Sequence, residues 1–501
     1  VQDDVAMLFN SFQFLFIFFP ITLVIYYWVA RKNQVYAAAW LTVASLAFYG
    51  WWSPADIGLL IASVLFNYLV SQLLVLTFHK NILYSKIVLF FGVSSNLILL
   101  FHFKYSAFII ENINLLIGSS ITRPSNLLPL GISFFTFTQI AYLVDTYRDR
   151  TKPFRFTYYA LFVTYFPHLV AGPILHHREI LPQFSSKVMY RFNYKNLAVG
   201  LTLFTLGIFK KLFFADYMAR FVGPVFGASG HSLTLLEAWG GALAYTLQIY
   251  FDFSGYSDMA VGLSRMLGAH IPLNFNSPYK SKNITDFWRR WHISLSRFLR
   301  DYLYISLGGN RKGRVLRYIN LLTTMLLGGL WHGAGWTFVA WGLLHGLYLV
   351  INHAWIYFKS LKAKNLFIRI IDFNSQTITF ISVVLAWVFF RAPNIDSAIQ
   401  VIRGMIGLNG FSIHNSPYFA GGKQALPIIA LLIFAFKTPN TQEWLRKFKP
   451  DFTKITQKNS RLKNLEWYPS LIYALLIGLI LAACLIQMKS TKSAEFIYYN
   501  F

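Results

Sequence analysis

Of 501 residues only one, Cys484, is a cysteine, so no disulfide framework can form and no thiol chemistry is indicated. Charge is scarce as well. Asp, Glu, Lys and Arg make up 13% of the chain against 56% hydrophobic residues, which excludes the several soluble domains that this length would otherwise suggest. Three familiar short motifs are missing: the Gly-x-Ser-x-Gly elbow, the metal-binding His-Glu-x-x-His and a nucleotide fingerprint. Their absence removes the usual sequence evidence for a serine hydrolase, a zinc protease or a nucleotide-dependent enzyme. No internal repeat and no separate soluble domain is visible.

The composition that is left is that of a polytopic membrane protein. Apolar stretches suited to crossing a bilayer as helices cover roughly residues 11–29, 36–51, 54–77, 84–101, 127–144, 158–175, 196–215, 236–262, 317–330, 335–358, 368–390, 424–437 and 468–488. We expect about 11 to 13 transmembrane or re-entrant helices and an all-α chain forming one membrane domain over 1–501. Within it, residues 7–285 are N-terminal helices, 286–346 a core segment, and 347–501 C-terminal helices with an aromatic tail.

The 45 Lys and Arg exceed the 19 Asp and Glu by 26. Much of this excess lies in a few short loops, so it reports topology and implies no nucleic-acid partner. Asp3 and Asp4 precede the first span and no cation comes before Arg31 and Lys32, which places the N-terminus outside. The first span has no basic leading region and no cleavage site, so it is expected to be retained; Met7, just before Leu8, Phe9, Asn10 and Ser11, reads as the natural start. Lys437 to Trp467 is rich in Lys and Arg and belongs inside, and the last span returns the chain outward to end at Phe496–Phe501.

Candidate chemistry gathers between Asp286 and Gly346. As a helix, the run from Asp286 puts Trp288, Trp291, Leu295, Phe298 and Tyr302 on one face. Arg289, Arg290, His292, Ser296, Arg297 and Arg300 fall around the other, the pattern of an amphipathic helix at a membrane surface. Further on, His332 lies in an apolar run with Trp331, Gly328, Gly329, Gly333 and Gly335, and His345 follows. A titratable group in such a run is costly and marks a functional site, and an imidazole suits proton transfer near neutral pH. His79, His102, His168, His176, His177, His231, His270 and His353 lack such a setting and read mostly as loop or interfacial residues.

Other polar groups punctuate the apolar segments. Gly131, Ser133, Thr136, Gln139 and Asp145 indicate close packing and interhelical hydrogen bonds. Pro167, Gly172 and Pro173 require a broken helix. Asp252 and Asp258 need partners, for which an Arg of the 286–303 segment is the expected one. The loop Gly308 to Arg314 does not complete a phosphate-binding motif and reads as a cytoplasmic turn.

In these residues the chain resembles the membrane-bound O-acyltransferases, and within them the branch that contains the alginate O-acetyltransferase membrane subunit. The likeness is most specific at Asp286–Leu303 with Trp291 and His292, at Leu330–Gly335 with His332, at Pro167–Pro173, at Gln248–Asp258 and at the start from Met7. It implies a ring of tilted helices around a central tunnel, with His332 as catalytic base and His292 as second histidine. Trp291, Trp331, Asp252, Asp258, Arg289 and Arg290 are the expected substrate-binding residues; Lys312 is a further candidate for a donor's phosphates. No metal or bound cofactor is implied, and acetyl-CoA is the implied acyl donor.

The same resemblance implies a bacterial inner-membrane, multi-pass protein with both termini extracytoplasmic. It would work with membrane lipid around it and an extracytoplasmic SGNH-type acetyltransferase beside it, and an exported polysaccharide would be the indirect acceptor. The aromatic tail resembles a family motif in which a tyrosine carries the acyl group, and Tyr498 matches that tyrosine better than Tyr499. Two alternatives stay open: D-alanyl transfer to teichoic acid, and a proton-coupled transporter, although the inverted repeats of a transporter are not seen.

Overall fold

The structure, a computed structural model, describes residues 7–78, 81–122, 128–150, 154–170, 172–228, 231–361, 366–411, 416–448, 466–490 and 496–497. Among them every regular element is a helix, apart from one isolated bridge between Ser416 and Phe419. Each expected apolar stretch is met by helix. Among the described residues, six helices are long and apolar enough to cross a membrane: Pro54–Thr77, Ile82–Ile117, Tyr194–Ala219, Trp336–Ser360, Ile370–Arg391 and Leu471–Ser490. Phe14–Ala30 is a shorter apolar helix. The described part of the expected 158–175 segment is divided between Phe156–Thr164 and the single turn Phe166–Leu169, as its prolines require.

The chain forms two compact units. The first comprises Val1–Ile208, Tyr256–Leu273 and Leu445–Thr491. Local signals set its helix starts: Asn33 and Asn81 accept the backbone N–H of Val35 and Leu83 at 2.7 and 2.8 Å, so each span begins on a capping side chain. Ala37, Ala38, Leu41, Ala44, Ser45, Phe48 and Tyr49 recur at helical spacing and form the buried face of Gln34–Trp52, which packs on Phe156–Thr164.

Several buried polar groups in this unit pair with one another. Asn67 and Asn96 exchange amide hydrogen bonds at 3.1 and 2.6 Å. Gln139 donates to Ser63 at 2.9 Å and accepts from Tyr159 at 3.1 Å, so the expected interhelical bonding of that segment is present. Lys104 donates to Ser133 at 3.2 Å. His168, His176 and His177 are buried here, against the expectation of loop or interfacial positions. The reason is structural pairing: His168 Nε2 lies 2.9 Å from the Phe162 carbonyl, and His177 Nδ1 lies 3.3 Å from Asp145.

The second unit comprises Phe209–Gly255, Asn274–Trp444 and Lys492–Phe501. It corrects the amphipathic-helix expectation. Ile284–Trp288 and Ile293–Phe298 are separate short helices, followed by a wider π-helical turn at Leu299–Tyr304. The break falls at His292, whose φ of +42° is left-handed. His292 therefore leaves the cationic face assigned to it and is wholly buried. The connector before the run pins the break: Asn274 accepts the Ile293 N–H through its carbonyl at 3.0 Å and the Ser294 hydroxyl through its side chain at 2.6 Å. The Gly308–Arg314 loop is a turn, as expected.

Candidate active site

Two helices of the second unit, Arg314–His332 and Trp336–Leu361, pack along each other and join through Gly333–Gly335. Their approach is close enough to require glycine. A side-chain carbon on Gly329 would lie 2.3 Å from the Phe338 carbonyl, and one on Gly342 would lie 2.5 Å from that of Met325. This hairpin presents His332 as the last residue of its helix, buried against Trp341, Phe390 and Trp331 at ring separations of 5.0, 5.1 and 4.9 Å.

His292 reaches the same place from the broken 284–304 segment. Its ring centre is 6.4 Å from that of His332 and 4.7 Å from the edge-on ring of Phe253. It lies outside the spanning helices, and burial pushes its imidazole down to about 3. His292 is thus neutral at physiological pH, with one nitrogen able to donate and the other to accept. A backbone held in the left-handed region costs about 1–2 kcal/mol for a residue with a side chain, and such strain is characteristic of functional positions.

Beyond Phe390, which packs on His332, lies a cavity of about 510 Å³ whose lining includes neither histidine. Its wall includes Tyr245 and Gln248 from Leu235–Met266, Gly335 and Phe338 from the hairpin, Arg391 from Leu366–Arg391, and Ile497 of the tail. The Tyr245 hydroxyl and the Gln248 side-chain carbonyl are buried and make no hydrogen bond among the described residues. Phe338 and Phe390 both line the cavity, and Phe390 also packs on His332.

One turn beyond Gln248, Asp252 is buried, but its partner is not an arginine of the 286–303 segment. Lys211 lies 2.8 Å from one carboxylate oxygen and 2.9 Å from Asp216. Lys211 reaches Asp252 from a neighbouring helix, while two arginines of the 286–303 segment bond groups of their own. Arg290 bonds Asp286 at 3.0 Å and the Asn276 carbonyl at 3.3 Å, Arg300 bonds Asp301 at 2.7 Å, and Arg289 is exposed. Lys211 belongs to the π-helical turn Lys210–Ala215, and it was not singled out from the sequence. A lysine pair inside the apolar 196–215 stretch was the available signal.

The other expected residues are distributed as follows. Trp291 is packed among Phe287, Phe275 and Trp387, and Trp331 sits 6.2 Å from His292 ring to ring. Asp258 is buried in the first unit. Lys312 is exposed. Tyr498 and Tyr499 lie outside the described residues, but Phe496 and Ile497 are inside them. Phe496 is buried 5.7 Å from Phe253, and the Ile497 N–H donates to Asp252 at 2.8 Å. His345 is enclosed by Trp341, Trp288 and Phe287 at 4.8, 5.1 and 6.0 Å, so it extends the aromatic wall behind His332.

The model of the membrane-bound O-acyltransferase family matches residues 22–385. The chain belongs to this family. It is an acyltransferase embedded in the membrane by several spans, which sets the transporter alternative aside. Among its relatives, a peptidoglycan O-acetyltransferase of Helicobacter pylori is 43% identical over 437 residues, covering 81% of each chain. A Pseudomonas putida protein named "Probable alginate O-acetylase" is 38% identical over 511 residues, 99% of this acyltransferase and 100% of its own length. A teichoic acid D-alanyltransferase of Streptococcus thermophilus is 30% identical over 242 residues, 45% of this chain and 57% of its own.

Proposed function

We propose that this acyltransferase passes acetyl groups from a cytoplasmic donor, acetyl-CoA, across the bacterial inner membrane for O-acetylation of an exported polysaccharide. Two relatives aligned over four fifths or more of the chain carry names for O-acetyl transfer to extracytoplasmic polymers. The D-alanyl transferase aligns over less than half of it, which favours acetyl over D-alanyl. The observation that carries the mechanism is the return of the tail: Ile497 lines the cavity whose wall includes Phe390, the neighbour of His332, and is fixed to Asp252.

In this reading His332 takes the proton of the attacking hydroxyl as the oxygen bonds to the thioester carbonyl. The carbon–sulfur bond then breaks and the leaving thiolate recovers a proton from His332. General-base catalysis of this kind contributes about 10²- to 10⁴-fold. His292, neutral and 6.4 Å from His332 ring to ring, donates to the carbonyl oxygen as negative charge develops on it. The first attacking hydroxyl is that of Tyr498, next in sequence to Ile497, and its ester is the carrier that an SGNH-type partner on the outer side unloads onto a polysaccharide hydroxyl. Trp291 and Trp331 shape the site, Asp252 pairs with Lys211 and the tail, and exposed Arg289 and Lys312 are the candidates for the donor's phosphates.

Tyr498→Phe tests this function because it removes one oxygen and keeps the ring. It is expected to abolish acetylation of the polymer in cells while leaving the protein's abundance unchanged. Full acetylation by that variant would refute the relay. The topology that goes with the reading has both termini outside and the loop around Lys454 inside; impermeant thiol labelling of single cysteines from the outer side should miss that loop.

A further inference from the structure

The pairing of Lys211 with Asp252 does more than neutralise two buried charges. One oxygen of Asp252 faces Lys211 at 2.8 Å, and the other accepts the backbone N–H of Ile497, 245 residues further along the chain, also at 2.8 Å. Both side chains are almost fully buried, and Lys211 is held from its other side by Asp216 at 2.9 Å. The carboxylate is therefore oriented by a cation that is itself oriented. Lys211 sits in a π-helical turn, a widening that tends to occur at functional positions.

A bond to a main-chain N–H ignores the side chain it passes and fixes the path of the backbone instead. Next to it, Phe496 packs on Phe253, whose ring stands edge-on to His292. Phe253 thus touches both the tail and His292.

We propose that Asp252, held by Lys211, is a positioning residue: a clamp that docks the tail at Phe496–Ile497 and so sets where the next residue, Tyr498, is presented. The clamp rests on the relay reading only for its consequence in acyl transfer; docking itself is measured separately. An ion pair with a merely structural role has no need of the Ile497 N–H, and this separates the two roles.

The test uses the full chain in detergent micelles and in cells. Ile497→Pro removes the donating N–H and leaves Lys211 and Asp252 untouched; Ile497→Ala changes the side chain and keeps the N–H. The double change Lys211→Met with Asp252→Leu removes both members of the Asp252 pair together, so neither is left buried without the other, and Asp216, which also faces Lys211, keeps 17% of its side chain exposed. Hydrogen exchange of the peptide containing Phe496 reads docking, and polymer acetylation reads transfer.

Ile497→Pro and the double variant are expected to exchange faster at Phe496 by about tenfold or more, the size appropriate to losing a hydrogen bond to a charged acceptor. Transfer should fall with it. Ile497→Ala and Tyr498→Phe should keep the protection. Unchanged protection in both Ile497→Pro and the double variant overturns the clamp, whatever Tyr498→Phe does to transfer. Lost protection with full transfer upholds the clamp as a docking device and overturns the relay instead.

Discussion

The two units treat buried polar groups differently. In the first, Asn67 faces Asn96, Gln139 sits between Ser63 and Tyr159, and His177 faces Asp145. These are helix-to-helix pairs whose partners are fixed parts of the same packed core. In the second unit polar groups surround a space: Tyr245, Gln248 and Arg391 line the cavity, His332 lies behind its lining residue Phe390, and Asp252 spends one oxygen on a chain segment arriving from the tail. A buried imidazole alone therefore does not mark a catalytic group. What distinguishes His332 from His168, equally buried, is that Phe390, packed on it, lines the cavity, whereas His168 is paired with the Phe162 carbonyl.

The comparison can be broken most decisively at His332. His332→Ala is expected to lower acyl transfer by about 10²- to 10⁴-fold with membrane insertion and abundance unchanged, as measured by acetate release from purified polymer and by immunoblot. Near-normal transfer would return His332 to the same class as His168. His292→Ala should come next, with a loss of about 10²-fold if it stabilises the developing oxyanion; a fall in abundance at normal transfer per molecule would make it a packing residue.

Smaller effects are expected in the first unit. Asn67→Leu leaves Asn96 without its partner amide and should cost about 0.6–2 kcal/mol of stability, read as a lower thermal unfolding midpoint in micelles. Transfer per folded molecule should stay at wild type. The double change Asn67→Leu with Asn96→Leu should recover much of that loss, since no buried polar group is then left over. A drop in transfer in either variant would mean that the first unit's polar pairs also serve the reaction.

Much of the architecture was legible because apolar length and loop charge are strong signals in a membrane chain. The break at Tyr165, just before Pro167, followed from proline chemistry, whereas the caps at Asn33 and Asn81 were not read from the sequence. Local pattern failed at the 286–303 run. Its periodicity is helical, but tertiary bonds from Asn274 hold the backbone in a turn at His292 that periodicity alone does not foresee. The partner of Asp252 was also misplaced. Arginines close in sequence to the signature histidine drew attention, whereas Lys211 and Ile497 meet Asp252 only through the fold.

The central claim is that acetyl passes through the tail under the control of His332, and mass spectrometry of the protein after exposure to acetyl-CoA tests it most directly. In wild type the peptide carrying Tyr498 should gain one acetyl group, sensitive to mild alkali as an aryl ester is, and in His332→Ala it should gain none. An unmodified tail in wild-type protein that still acetylates polymer, or equal acetylation of the tail without His332, would contradict the account.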